Sequence, residues 1–253
     1  MWTIYDRLIE TATDDSIKIR DFAVGTRFAA VFTEDGVLGL APVITEKWDR
    51  FPFSVDPEPG MSLTELIPSI KSWNYHESAL ALAALNAYHN RDDKMPAEAV
   101  SHPGGRRSKG AFFKFCESNT AGKRTVMIEP HYEREEMSSV PGIFDIVRRE
   151  RSFRDYLFNA YEELIPESQQ VVLSGMTIVD KLISPVLSTA NDTRNIMWGL
   201  DVPLTTAFAV SGVDEVTGFI VDDPEKCFWS VKKSGNRDDI IKFGHFVTIE
   251  FTK

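Results

Sequence analysis

Only two cysteines occur among 253 residues, Cys116 and Cys227, and they lie far apart. The chain therefore encodes neither a disulfide framework nor a Cys-x-x-Cys metal site, and a reducing compartment is the default. Basic residues are short of acidic ones, 28 against 38, giving a formal charge of -10. Nucleic acid and anionic membranes select for excess Lys and Arg, so both are set aside as general partners. No uncharged apolar stretch reaches the roughly 20 residues of a membrane span. The opening MWTIYDRLIETATDD is acidic and does not read as a signal peptide, so the cytoplasm is the expected location. The motifs G-x-G-x-x-G, the P-loop, His-Glu-x-x-His and Gly-x-Ser-x-Gly are all missing. Classical NAD or FAD binding is not expected, because backbone approach to a pyrophosphate needs those glycines.

What is present is ordinary globular material, 43% hydrophobic and 26% charged, enough for one large domain or two small ones. Met1 to Ala12 reads as a helix. A meander of three strands follows, near Ile17 to Asp21, Arg27 to Phe32 and Val37 to Leu40. The turn Glu34-Asp35-Gly36 joins the last two, since Asp-Gly tolerates positive φ. Ser62 with Glu65 is a capping-box signature before the stripe Leu63, Leu66, Ile67 and Ile70. The segment NYHESALALAALNAY, 74 to 88, predicts a helix buried on every face, because Ser78 to Tyr88 carries no charge.

Residues 91 to 110 are charged, bear Gly and Pro and lack periodicity, which suits a boundary. The basic cluster Arg106-Arg107-Lys109 inside it reads as solvated loop. Beyond it, strands alternate with short helices, which implies a mostly parallel, Rossmann-like sheet. Expected strands are 124 to 128, 143 to 147, 171 to 173, 195 to 198, 216 to 221 and 246 to 251. Expected helices are 156 to 164, 178 to 187, 204 to 210 and 224 to 232. The expected fold class is α/β: an N-terminal α+β unit, residues 1–95, then a linker with a short helix, 96–121, then a Rossmann-like unit, 122–253.

Ligands of open parallel sheets bind outside the C-terminal strand ends. Those ends are Glu129-Pro130-His131-Tyr132-Glu133, Ser174-Gly175-Met176-Thr177 and Gly199-Leu200-Asp201-Val202-Pro203. Glu129 and Glu133 would repel phosphate. His131 can act as acid, base or ligand near neutral pH, or be a plain loop histidine. Thr177 and Asp180 either line a site or cap the helix over 178 to 187, capping being the stronger reading for Thr177; Lys181 is less easily explained that way, since a cation near a helix N-terminus is mildly unfavourable. Asn74 and Glu77 either form a capping box or line a site. Asn86, inside the apolar helix, must bond to backbone or face a ligand.

The blocks SWNYHESALALAALNAYHN (72 to 90) and VDKLISPVL (179 to 187) resemble the heavy-metal chelation family. Weaker matches are VGTRFAAV, GVLGLAP, GKRTVMI and TGFIVDDPEKCF, in preserved order. In that family an enolase-N-terminal-like domain precedes a Rossmann-like one. The resemblance implies a cleft between the domains, including Gly25, Thr26, Asn74, Glu77, Asn86, His131, Asp180 and Lys181. Thr177, Gly199 and Pro203, at the strand exits, complete the candidate ligand-binding set. The sequence departs from the family pattern at Glu129, where a glycine is usual, and in the turn Gly199-Leu200-Asp201-Val202, where more glycines are usual.

The expected function is binding of a small molecule, metal or metal chelate at the domain interface. Glu77, His131 and Asp180 are the metal-ligand candidates, and Lys181 would hold an anionic group. No cofactor is specified beyond a metal ion. One alternative is an enzyme acting on a carboxylate-bearing metabolite, with His131 as acid or base and Lys181 and Asp180 assisting. Another is a non-catalytic scaffold. Homo-oligomerisation stays open.

Overall fold

A computed structural model of the chain describes residues 2–44, 54–104, 114–116, 120–131, 136, 142–149 and 154–251. The basic cluster at 106–109 and Glu133 lie outside the described residues.

The N-terminal layer opens with helix α1, Thr3–Glu10. Strands β1 (Ile19–Val24), β2 (Phe28–Thr33) and β3 (Leu38–Pro42) form an antiparallel sheet in that order. Every residue of β2, FAAVFT, is buried. The period-2 alternation of a strand explains this, because the sheet is covered on both faces. Ala29 and Val31 join one core with the long helix, while Phe28, Ala30 and Phe32 join a second with Phe228 and Val231. Helix α2 (Leu63–Leu66) starts on the expected box of Ser62 and Glu65. Helix α3, Tyr75–His89, is buried from Glu77 to His89, as the charge-free run from Ser78 to Tyr88 requires of most of it. Its alanines allow unusually close approach: a Cβ on Gly39 of β3 would lie 2.0 Å from the Ala83 carbonyl oxygen.

The second sheet has eight strands. These are β4 (Val100–Ser101), β5 (Arg124–Ile128), β6 (Ile143–Arg148), β7 (Tyr156–Leu157), β8 (Gln170–Leu173), β9 (Arg194–Trp198), β10 (Glu215–Val221) and β11 (Gly244–Glu250). Their spatial order is β4-β11-β10-β9-β8-β5-β6-β7. From β10 to β7 all pairs are parallel; β11 and β4 add antiparallel strands at one edge. The fold is thus mixed α/β, with an antiparallel meander before a mostly parallel sheet. Val100–Ser101, inside the stretch read as linker, pairs with β11, and 114–116 form a helical turn.

Three helices differ from expectation. The helix expected over 178 to 187 is two, α5 (Met176–Val179) and α6 (Ile183–Thr189). They are separated at Lys181, whose φ is 69°, a left-handed conformation that no helix continues through. The segment 156 to 164 is strand β7, a 3₁₀ turn and the short helix α4 (Tyr161–Leu164). Residues Thr206–Ser211 form a 3₁₀ helix. Helix α7, Pro224–Lys232, stands as expected, followed by α8, Arg237–Ile240. Among the described residues no helix is long and apolar enough to cross a membrane.

The chain runs from β5 outward to β6 and β7, then returns to β8 on the other side of β5 and continues to β9 and β10. The winding therefore reverses between β5 and β8, the point at which open α/β sheets hold ligands in a crevice outside their C-terminal strand ends.

Candidate functional site at the strand-order reversal

The exit of β5 is held in an unusual shape. Glu129 has φ 51°, the left-handed region that glycine enters freely. Its carbonyl accepts a hydrogen bond from Ser174 Oγ at 2.6 Å, tying the β5 and β8 exits together. Its carboxylate accepts from the Arg149 amide at the end of β6. Burial pushes the Glu129 carboxyl above its ordinary range, with the Arg149 amide, Arg148, Arg149 and His131 opposing.

Two residues on, Arg237 Nη1 donates to the His131 carbonyl at 2.9 Å while its guanidinium grips Glu136 through both nitrogens, at 2.9 and 2.7 Å. The His131 ring packs 6.2 Å from the Phe28 ring, centroid to centroid. Its Nε2 lies 2.9 Å from Asp201 Oδ1; the imidazole side chain is 12% exposed and the Asp201 side chain 0%. Yet neither Asp201 oxygen, nor Nε2, is aligned in a hydrogen bond. Glycine creates the space for this pair. A Cβ on Gly199 would lie 2.3 Å from Asp201 Oδ1 and 3.1 Å from His131 Nε2, and one on Gly175 would lie 2.3 Å from the Asp201 carbonyl oxygen.

The loop bearing Asp201 is fixed by the N-terminal layer. Asn90, just past α3, donates through Nδ2 to the carbonyls of Val202 and Phe219 at 3.0 and 3.2 Å. Its Oδ1 accepts from Leu204 N at 2.8 Å. Pro203, buried between these contacts, accepts from Thr205 N at 3.0 Å.

Beyond β8, Thr177 is buried and donates from Oγ1 to the Ser174 carbonyl at 2.7 Å, a local bond that satisfies it. Asp180 stands at the C-terminal end of α5 rather than the start of a longer helix. Its Oδ1 accepts from Leu182 N at 3.1 Å, and Oδ2 is buried without a partner. Burial raises the Asp180 carboxyl to about 8, helped by the nearby charge of Glu129. Burial lowers the Lys181 amine to about 7, against the pull of Asp180. Lys181 Nζ donates to Ile70 O (2.9 Å), Ser78 Oγ (2.7 Å) and Val179 O (2.9 Å). An ammonium has three donors, so none is left for the anionic group expected from the sequence.

The other expected residues are scattered. Asn74 caps α3, accepting from the amides of His76 and Glu77. The reciprocal half of a capping box is not made: the Asn74 amide donates to Ser72 Oγ, and Glu77 Oε1 accepts from Ser54 N, Ser54 Oγ and Val55 N. Burial pushes the Glu77 carboxyl up, but these bonds and one from Ser72 outweigh it and hold it low. Asn86 Nδ2 donates to the Leu40 carbonyl at 2.6 Å, the backbone alternative. Gly25 lies against α7, where a Cβ would be 2.7 Å from the Val231 carbonyl oxygen, and Thr26 is exposed beside it.

The structure thus brings His131, Gly199, Asp180 and Thr177 to neighbouring strand exits. It adds Asp201, Glu129, Arg149 and Tyr75, whose hydroxyl accepts from Arg149 Nη2 at 3.2 Å. Asp201 was legible only as one residue of an acidic turn; a glycine two residues before it was the available signal.

Metal fit is limited. Among the described residues no three of His, Cys, Asp and Glu converge as an ion-holding group, so Glu77, His131 and Asp180 do not form a joint cage. Both thiols are buried, and burial pushes that of Cys227 far above the range where thiolate ligands form. What remains at the crevice is one imidazole and carboxylates, a nitrogen and oxygen set.

Two family models match the chain, at residues 5–89 and 112–250, both described as "Putative heavy-metal chelation". The chain belongs to this family. The chelation-family fold is also that of two solved proteins of unknown function. One, from Desulfitobacterium hafniense DCB-2, has 24% identity and a TM-score of 0.84 over 99% of each chain. The other, from Pyrococcus horikoshii, has 20% identity and a TM-score of 0.78 over 98% of each chain. At these identities the likeness establishes the fold. No curated protein matches.

Proposed function

We propose that this chelation-family protein binds a small molecule or metal chelate in the crevice at the β5–β8 reversal, through His131 and Asp201. One observation carries the reading: Asp201 is fully buried, lies 2.9 Å from His131 Nε2, and offers two oxygens with no hydrogen bond. Burying a carboxylate whose oxygens make no aligned hydrogen bond is costly, and native proteins keep such a group where it has work to do. A pair of protein donors cannot saturate a transition metal, which takes four or more ligands. A metal would therefore arrive already wrapped in a chelator that fills its remaining positions.

The test is the ring ¹³C–¹H signal of His131, assigned with His131→Gln and followed during titration with Ni²⁺, Zn²⁺ and their citrate and histidine complexes. A chelate complex is expected to move it, and Asp201→Asn to weaken that binding at least tenfold. Asp201→Asn keeps the side-chain volume, so the variant is expected to fold, and its melting temperature checks this. An unmoved His131 signal with every metal and chelate would overturn the reading.

A further inference from the structure

The crevice shows an imbalance between donors and acceptors. Arg148 donates from Nε to Asp155 (2.9 Å) and from Nη1 to the Pro130 carbonyl (3.1 Å). Arg149 donates through its amide to Glu129 and through Nη2 to Tyr75. Arg237 is engaged by Glu136 and the His131 carbonyl, and Lys181 by three acceptors. The first amides after β8 point inward too: Met176 N donates to Ser174 Oγ and Thr177 N to the Ser174 carbonyl. Among the described residues, each of these cations is thus already bound to a protein acceptor.

Acceptors, by contrast, are left over. Both oxygens of Asp201, whose side chain is 0% exposed, are buried without an aligned hydrogen bond. At the β5 exit, where a doubly wound fold would bring backbone amides to a phosphate, the Glu129 carboxylate stands instead. A phosphate or carboxylate would meet this carboxylate, with the cations described above already serving protein acceptors. A protonated nitrogen would supply what the buried oxygens lack, in charge-assisted bonds that are stronger than neutral ones.

We infer that the ligand of this crevice is a small nitrogenous cation, an amine or amidine, whose N–H groups dock on Asp201 beside His131, and that phosphate-bearing and carboxylate-only ligands are rejected. The inference rests on the crevice being the binding site. It also fits a chelator built on amine nitrogens.

The experiment titrates the full chain with benzamidine, agmatine and putrescine, and separately with inorganic phosphate and citrate. The His131 ring signal reports occupancy, and calorimetry gives affinity. At least one cationic probe is expected to move the signal. Its Kd should rise at least tenfold in Asp201→Asn and stay within twofold in Asp192→Asn, an exposed carboxylate outside the crevice. Should Asp201→Asn fail to fold, His131→Gln takes over the affinity comparison. If phosphate or citrate moves His131 and no cationic probe does, the ligand class is overturned and the crevice stands. If neither these probes nor the metal chelates move it, the crevice itself is refuted.

Discussion

Leu204 N donates to Asn90 Oδ1 at 2.8 Å, so a residue at the end of the long buried helix holds the loop that carries Asp201. The same side chain donates to Val202 and Phe219, leaving each of its polar atoms engaged. Helix α3 also reaches the other side of the crevice, where Ser78 accepts from Lys181 and Tyr75 from Arg149. It acts as a strut between the β8 and β9 exits.

Asn90→Ala should therefore destabilise by about 2–4 kcal/mol, because it leaves two buried carbonyls and an amide without a partner. Urea unfolding measures this. A change below about 0.5 kcal/mol would mean that the loop is fixed by other contacts.

Gly199→Ala and Gly175→Ala should separate binding from stability. An added Cβ at 199 meets the Asp201 side chain at 2.3 Å, which can rotate away, so the carboxylate should leave His131 and binding should fall. At 175 the Cβ meets the Asp201 backbone at 2.3 Å, which cannot rotate away, so the larger stability loss is expected there, about 1–3 kcal/mol or more. Equal melting temperatures and equal affinities in the two variants would contradict the geometry.

Asp180 should give the chain a pH dependence of stability. Its folded pKa of about 8 lies above the ordinary 3.8, so the folded state holds a proton that the unfolded state has lost. The stability it contributes is fully present below about pH 4 and is lost as pH rises through about 8. Lys181 runs the opposite way: its folded pKa of about 7 lies below 10.5, so its contribution improves between those values. From pH 4 to 7 Asp180 dominates the pair, and Asp180→Asn should flatten the decline there. Denaturation midpoints at pH 4.5, 5.5 and 6.5 check this; parallel profiles for variant and parent would refute it.

The sequence by itself determined the elements whose signals are local. A charge-free run from Ser78 to Tyr88 has to be buried on all sides, and α3 is. Ser62 with Glu65 starts α2, Asp35-Gly36 turns the meander, and Pro224 opens α7. Alternation of strands with short helices was enough for the parallel sheet, and strand ends were enough to single out His131 and Gly199. Only the tertiary structure decided what those residues meet. Asp201 reaches His131 because β9 and β5 flank β8 and two glycines leave room, and no spacing along the chain records that adjacency. Lys181 turns to Ile70 and Ser78 because its left-handed φ breaks a helix that periodicity would continue. Glu77 serves Ser54 and Val55 rather than its own helix start. Side-chain partners are set by packing across layers, where the desolvation of each charge depends on elements distant in sequence.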